Sequence, residues 1–245
     1  MDEPRQTARS AAENAGVEIR PLTTLEEAGE VVRLQVATWG EAQTVPREAI
    51  RALQGAGVPP LGAYADDDMI GFVLGFIGAG PDGIHVHSHM LAVDPDRRSH
   101  GVGRALKLAQ RALALGQGIT VARWTFDPLI ARNAHFNLHV LGAVADRFHR
   151  HYYGDMTDRI NTGERTDRLE VWWDLRREPG PRLAADPAGE VEVPPDHESL
   201  RRTDPAVAGE WRERVADALE EALAGGLAVT GFVRSSYVLS RGSNS

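Results

Sequence analysis

Apolar and polar residues follow one another in a pattern that predicts a mixed α/β protein. Alternating or continuous apolar runs predict strands at 17–21, 61–65, 69–77, 84–93, 119–126, 143–148 and 168–175. Apolar residues at helical spacing predict helices between them, at 24–39, 46–55, 102–115 and 128–141. Thr24 and Glu27 have the spacing of a capping box at the start of the first helix. The predicted order over 17–175 is therefore β-α-α-β-β-β-α-β-α-β-β.

The sequence changes character after residue 175. Five of residues 176–195 are proline, which predicts a linker. Asp204 and Pro205 then predict the start of a helix, with apolar residues at four-residue spacing, and short strands follow at 227–233 and 237–239. We therefore predict an N-terminal arm or short helix at 1–16, a main domain at 17–175, a linker at 176–195 and a small α/β appendage at 196–245.

A glycine-containing turn lies between the strand at 84–93 and the helix at 102–115. Arg98, Gly101 and Gly103 have the spacing Arg-x-x-Gly-x-Gly. Glycine lets a backbone turn tightly and approach a ligand closely, and the start of a helix offers unpaired N–H groups to an anion. Arg104 stands where a P-loop needs lysine, and Leu106 stands where a dinucleotide fingerprint needs glycine. The turn predicts a phosphate or pyrophosphate site of another kind.

Composition excludes several classes of function. The net charge is −8, which argues against a general nucleic-acid binder and against an anionic membrane surface. The absence of cysteine excludes disulfides, thiolate metal sites and cysteine nucleophiles. The sequence has neither an apolar leader nor an apolar stretch long enough for a membrane span, so we expect a cytoplasmic protein.

The glycine turn, the preceding Val93-Asp94-Pro95 and the order of elements resemble the GCN5-related N-acyltransferase (GNAT) family. Segments 88–93, 124–129 and 167–169 are similar to a group of predicted acyltransferases in that family that carry a C-terminal extension. The resemblance covers 17–175. It implies an α/β (α+β) GNAT fold: a mixed, mostly antiparallel central sheet flanked by helices, here with the small α/β appendage.

The resemblance also implies a site for acyl-coenzyme A. Backbone N–H groups at 89–93 would polarise the thioester carbonyl, the pantetheine arm would lie along the same strand, and the turn would hold the pyrophosphate. An asparagine of the following helix would contact the pantetheine or the nucleotide; Asn133 is the preferred candidate and Asn137 the alternative. The predicted cofactor-binding residues are Leu91, Ala92, Val93, Arg98, Ser99, His100, Gly101, Val102, Gly103, Arg104, Ala105 and Asn133.

Three histidines alternate along the strand at 84–93. His85, His87 and His89 therefore face one side of the sheet. His89 or His87 would serve as the base that deprotonates an amine, because histidine titrates near neutral pH. The alternatives are a metal site formed by all three and simple packing at the sheet face.

The proton for the leaving thiolate needs another source. Many family members use a tyrosine four residues before the glycine that ends the penultimate helix; here that position is Leu138, before Gly142. Tyr153 or its neighbour Tyr152 would replace it, or would merely pack beside a turn. The predicted substrate-binding residues are Trp124, Asp127 and Arg168, for which core packing, helix capping and a surface ion pair are the respective alternatives.

The sequence therefore predicts a transferase that moves an acyl group, most simply acetyl from acetyl-CoA, directly to an amine of a small molecule. The alternatives are succinyl transfer from succinyl-CoA to an amino acid, an acyl-CoA-binding module without catalysis, and a histidine-dependent metal protein. We expect a small-molecule amine or amino acid as partner, no nucleic acid, no membrane and no metal. The apolar face of the C-terminal helix makes a homodimer an additional expectation.

Overall fold

The computed structural model describes residues 2–80, 83–98, 100–156, 163–182 and 187–241. The described residues form two compact units, one ending at Arg123 and the other beginning at Trp124. Within the part of the chain described, no helix combines the length and the apolar character that crossing a membrane requires.

The first unit is a five-stranded sheet with helices on both faces. Its strands lie in the order β1-β2-β3-β4-β5, antiparallel except for the parallel pair β4–β5. The elements are α1 (Asp2–Asn14), β1 (Glu18–Pro21), α2 (Leu25–Trp39), α3 (Arg47–Gln54), β2 (Leu61–Ala65), β3 (Asp68–Gly80), β4 (Gly83–Val93), α4 (Val102–Gly116) and β5 (Val121–Phe126), of which Val121–Arg123 belong to this unit. The capping box of α2 forms as predicted, between Thr24 and Glu27.

Two apolar clusters hold the helices against this sheet. On one face α2 and α3 pack against Phe72 and Leu74 of β3, and on the other α4 packs against Val73. Complete burial of each such side chain contributes about 1.5–3 kcal/mol. The helix α1 packs on α4 with a face of small residues, which includes the buried Ala8 and Ala12. The sheet thus fixes the position of α4 relative to β4.

The second unit begins with the last residues of β5. A short helix, α5 (Ala131–Ala134), continues as a π-helical segment, His135–Val140. Strands β7, β6, β9, β10 and β8 lie side by side in that order, and their neighbouring pairs are antiparallel. The remaining elements are β6 (Val144–His149), β7 (Arg168–Asp174), β8 (Gly189–Glu192), α6 (His197–Thr203), α7 (Pro205–Ala224), β9 (Leu227–Val233) and β10 (Ser236–Arg241).

The structure confirms the predicted fold class, since a mixed, mostly antiparallel arrangement of strands is flanked by helices. Several details differ from the sequence-based expectation. The N-terminal segment forms the helix that was one of its two predicted alternatives. The proline-rich segment 176–195, predicted as a linker, contains β8. The division into units also differs from the predicted boundary at residue 175, because Val229 of β9 pairs with Ala145 of β6.

Candidate active site

A β-bulge interrupts β4 near its centre. Leu74 of β3 pairs with Met90, whereas the next residue, Gly75, pairs with Ser88, so His89 is an extra residue in β4. A bulge bends its strand and increases the local twist. The parallel pairing of β4 with β5 is restricted to Val86–Ala122 and His87–Arg123. Within the described part of the first unit, β4 beyond the bulge therefore has β3 on one side and an open backbone edge on the other.

The glycine turn leads from this open edge into α4. Gly101 is the N-cap of α4, with a left-handed φ of 84°, and it forms no side-chain capping bond. The first backbone bond of the helix runs from the Ala105 N–H to the Gly101 carbonyl, and the first turn contains no acidic residue. The preceding N–H groups of α4 have no partner within the helix. This end of α4 has the partial positive charge and the free donors that an anion needs.

Side chains around the turn hold its conformation. The Arg98 guanidinium donates to the Val93 carbonyl at 3.2 Å, and the His100 ring lies 2.7 Å from the Arg98 carbonyl. A cavity of about 220 Å³ adjoins the turn, between His100 and the residues that follow α1. Arg98 and His100 are exposed, whereas Arg104 is half-buried. The predicted cofactor residue Ser99 lies outside the described residues.

The apolar cofactor candidates contribute through their backbones. The side chains of Leu91 and Val93 pack against the cluster beneath α4, while that of Ala92 belongs to the opposite cluster. Val102 and Ala105 are buried in the first turn of α4. Because these side chains pack in or against the core, the backbone N–H and carbonyl groups are the polar groups that the five residues could offer to a ligand.

Two of the three alternating histidines share a surface with an exposed phenylalanine. Phe76 stacks on His87 with ring centroids 4.9 Å apart, and His89 lies 6.1 Å from His87 and 5.9 Å from Phe76. The loss of hydration in this cluster lowers the pKa of His89, although part of the residue remains exposed. The ring of His85 instead lies over Gly78. No group of three or more potential metal ligands occurs among the described residues.

Sequence reasoning missed a buried lysine beneath the bulge. Lys107 of α4 is 2% exposed, and its ammonium donates to Ser88 Oγ at 2.9 Å and to Gln110 Oε1 at 3.3 Å. Burial lowers its pKa to about 7. A single lysine beside an apolar helix face gives no sequence signal that its side chain turns inward.

In the second unit, Trp124 is part of the core. Its indole N–H donates to Asn137 Oδ1 at 3.1 Å, and its ring meets Trp173 edge-to-face at 6.3 Å. This bond occupies the buried amide of Asn137, which leaves the half-buried Asn133 as the asparagine with a partly accessible side chain. The side chain of Leu138 is fully buried, and because leucine has no polar hydrogen this position offers no proton donor.

Asp127 belongs to a network of ion pairs that the sequence did not reveal. Its carboxylate accepts from the Leu129 N–H at 2.9 Å, as the capping alternative requires, and from both terminal nitrogens of Arg212 at 2.9 and 3.3 Å. Arg212 also donates to Glu164, which contacts His197. Although burial lowers the pKa of Arg212, the two carboxylates raise it above its ordinary value.

Tyr153 and Arg168 lie together at the segment that follows β6. The Arg168 guanidinium carbon is 5.2 Å from the centroid of the Tyr153 ring, and the guanidinium donates to the Asp167 carbonyl at 2.8 Å. Arg168 is buried, so the alternative of a solvated surface ion pair is wrong. Tyr152 and Tyr153 are each 44% exposed, and Tyr153 thus presents a phenol to solvent.

Comparisons with known proteins identify the fold. Residues 29–136 match the model of the Acetyltransferase (GNAT) family. The ribosomal-protein-S18-alanine N-acetyltransferase from Escherichia coli is 18% identical with a TM-score of 0.51, over 69% of this chain and 99% of that one. Naa20 from Chaetomium thermophilum, solved with a bisubstrate analogue, is 18% identical with a TM-score of 0.54, over 66% and 88%. No curated protein matches the sequence.

Ard1 from Thermoplasma volcanium is a further similar structure, 18% identical with a TM-score of 0.50, over 65% of this chain and 97% of that one. Identities this low establish a common fold rather than a common substrate. The family model includes most of α2, the bulged strand β4, the glycine turn and α4. The part of the chain that holds these elements is therefore similar to the GNAT acetyltransferase family.

Proposed function

We propose that the protein is an acyl-CoA-dependent N-acyltransferase that transfers acetyl from acetyl-CoA directly to an amine of a small molecule. One observation supports this proposal above the others: the open edge of the bulged strand β4 leads into the glycine turn and the uncapped start of α4. In acyl-CoA the thioester, the flexible pantetheine arm and the pyrophosphate follow one another in a matching order, so that the thioester and the arm would lie along the strand edge and the pyrophosphate at the turn.

The residues of the turn and strand fit coenzyme A. The first turn of α4 would bind the pyrophosphate through backbone N–H groups, with Arg98 and Arg104 supplying positive charge. The edge of β4 at 89–93 would pair with the amide groups of pantetheine as an added strand would. One of its N–H groups would stabilise the negative charge that develops on the thioester oxygen. Bound acetyl-CoA supplies the activated acyl group.

We assign the general base to His89, with His87 as the second candidate. The lowered pKa keeps the His89 imidazole neutral at pH 7, and a neutral imidazole accepts the proton that the attacking amine loses. Tyr153 is the proposed donor of the proton that the departing thiolate takes up, because Leu138 has none to give. The amine nitrogen gains the acyl carbon as the carbon–sulfur bond breaks, and the released products are the amide and free coenzyme A.

The proposed acceptor-binding residues are Trp124, Asp127 and Arg168, and Asn133 is the proposed asparagine contact to acyl-CoA. The polar atoms of Trp124 and Asp127 already have partners in the second unit, so their proposed contribution is shape and charge. A guanidinium at Arg168 would attract an acceptor carboxylate, which an amino acid carries. Transfer of succinyl from succinyl-CoA to an amino acid uses the same chemistry with another donor.

A module that binds acyl-CoA without catalysis is the second candidate. It is favoured by Leu138, which occupies the position where the family resemblance places a tyrosine. This candidate needs the turn and the edge of β4 but neither His89 nor Tyr153.

Native mass spectrometry with acetyl-, propionyl- and succinyl-CoA tests the proposal. We expect a one-to-one complex with acetyl-CoA, and release of free thiol when a panel of small amines, amino acids and short peptides is added. If the protein binds acyl-CoA but no amine of the panel causes release of thiol, the non-catalytic module is favoured. Absence of a complex with any acyl-CoA would overturn both candidates.

A further inference from the structure

A buried contact connects α4 to the bulge in β4. Lys107 reaches from α4 to Ser88, with 2.9 Å between Nζ and Oγ, and its second acceptor is Gln110 on the same helix. Ser88 immediately precedes His89, the extra residue of the bulge, and is 6% exposed. The lysine therefore contacts the strand at the residue where regular pairing with β3 is interrupted.

The surroundings of this contact are tightly packed. Gly75 lies opposite Ser88 in β3, and a Cβ atom there would be 2.8 Å from the His87 carbonyl oxygen and 2.9 Å from Gln110 Nε2. Real Cβ atoms do not approach other atoms so closely, so a side chain at position 75 would displace the backbone of β4 at His87 and the amide of Gln110. Glycine at this position therefore leaves undisturbed both the strand next to Ser88 and the second acceptor of Lys107.

A lysine in this place has a cost. Removing an ammonium group from water is unfavourable even when it is hydrogen-bonded, and an apolar side chain of similar length would fill the site without that penalty. The same loss of hydration disfavours the charged form of Lys107 and therefore lowers its pKa. Packing alone gives no reason for a lysine here, whereas a polar contact to Ser88 does.

We propose that Lys107 is a positioning residue for acyl transfer, which fixes the bulge through Ser88 and so directs the backbone N–H groups of 89–93 at the thioester carbonyl. The inference rests on the proposed function, because it concerns how the same acyl-CoA site is built. Lys107 lies on the helix whose first turn is assigned to the pyrophosphate, and Ser88 lies on the strand assigned to the thioester. Their contact keeps these two parts of the site in register.

Infrared spectroscopy of bound acetyl-CoA labelled with carbon-13 at the carbonyl tests this role without an acceptor. A backbone N–H that polarises the carbonyl lowers its stretching frequency relative to free acetyl-CoA. We expect this shift in the wild-type protein and a return toward the solution value in Lys107→Met. Affinity for acetyl-CoA should stay within about twofold, because the glycine turn is unchanged, and thiol release should fall about 10–100-fold, somewhat less than the loss of an oxyanion-hole donor.

Two further variants make the result unambiguous. Ser88→Ala removes the acceptor and leaves the lysine, so it should reproduce the spectral change even if Lys107→Met fails to fold. Leu108→Met changes the packing of a fully buried neighbour on α4 without touching the polar contact, and it should keep the wild-type band. A wild-type band in both Lys107→Met and Ser88→Ala would overturn the inference. Failure of the wild-type protein to bind acetyl-CoA would instead refute the proposed function.

Discussion

At the scale of single residues, the candidate site depends on side chains whose environment changes their chemistry. His89 is the example that bears on the reaction, because a base must be unprotonated before the amine arrives. Its neighbours Phe76 and His87 withdraw water from the ring and disfavour the imidazolium, so its pKa lies below the ordinary 6.5. The imidazole of this proposed base is therefore neutral at pH 7 and becomes protonated only at more acidic pH.

Replacement of His89 by glutamine should slow thiol release by roughly 100-fold or more, the usual contribution of a positioned general base. In the wild-type protein, kcat/KM should rise with pH along an acid limb whose midpoint lies below 6.5. His89→Gln should lose this limb, whereas His85→Gln should retain it, because His85 lies over Gly78 away from the pair. The measurement is a pH–rate profile of each variant.

An unchanged acid limb in His89→Gln would exclude His89 as the base. Loss of the acid limb in His87→Gln would assign the general base to His87 instead.

Gly101 is the second residue whose environment decides its role. Valine at this position would have to adopt a φ of 84°, at a cost of about 1–2 kcal/mol, or change the turn. The added side chain would also cover backbone N–H groups that we assign to the pyrophosphate. We expect Gly101→Val to weaken acetyl-CoA binding more than tenfold in isothermal titration calorimetry, since several charge-assisted hydrogen bonds are affected together.

Gly118 provides the matched control for this change. It follows the C-terminal end of α4 with a φ of 78°, and a Cβ atom there would meet nothing within 4 Å. Gly118→Val therefore introduces similar backbone strain at the opposite end of the same helix. It should bind acetyl-CoA as the wild-type protein does. Equal affinities of all three proteins would contradict the assignment of the anion site to the glycine turn.

At the scale of elements, sequence periodicity predicted most helices and strands because burial of one face imposes it. Helix α4 and strand β4 were predicted within one residue at each end. The π-helical form of His135–Val140 was missed, because an apolar face looks the same for bonds four or five residues apart. Strand β8 was missed because it is short and lies among prolines. The proline content of this segment predicted a linker, whereas the strand forms through its pairing with β10, which local composition does not reveal.

The sequence predicted those parts of the candidate site that are defined by the spacing of residues close together in the chain. The glycine turn and the shared face of His87 and His89 follow from spacing within a few residues. The bulge at His89 depends on the register of β4 against β3, which alternation along one strand does not contain. Lys107 and Arg212 become buried only through contacts between segments distant in sequence. The parts of the site that the sequence missed are those created by tertiary packing.

At the scale of the whole molecule, a chain with a net charge of −8 places many of its ion pairs in the second unit. Some are at the surface: Arg150 contacts three carboxylates of α7, each substantially exposed. Exposed pairs of this kind contribute about 0–1 kcal/mol. The network of Asp127, Glu164 and Arg212 differs, because the Arg212 side chain is only 5% exposed. Loss of one partner there leaves an uncompensated buried charge.

Removal of Glu164 from this network should cost more stability than removal of a carboxylate at the surface. Although burial opposes it, contacts with His197 and Arg212 lower its pKa from 4.5 to about 2. A carboxylate with a depressed pKa in the folded state stabilises that state above its unfolded value, and the contribution disappears as pH falls from 4.5 toward 2. A shift of this size corresponds to roughly 3 kcal/mol at neutral pH.

Glu164→Gln should therefore lower the free energy of unfolding at pH 7 by roughly 2–4 kcal/mol, measured by urea denaturation. Glu213→Gln is the control, since Glu213 is 57% exposed and contacts Arg150 and Arg165 at the surface, and it should cost less than about 1 kcal/mol. The difference between wild-type protein and Glu164→Gln should also shrink as pH falls below 4.5, where the wild-type carboxylate begins to lose its advantage. If the two variants were equally stable at pH 7, the buried network would contribute no more than the surface pairs, and the stability of the second unit would have to come from its apolar core.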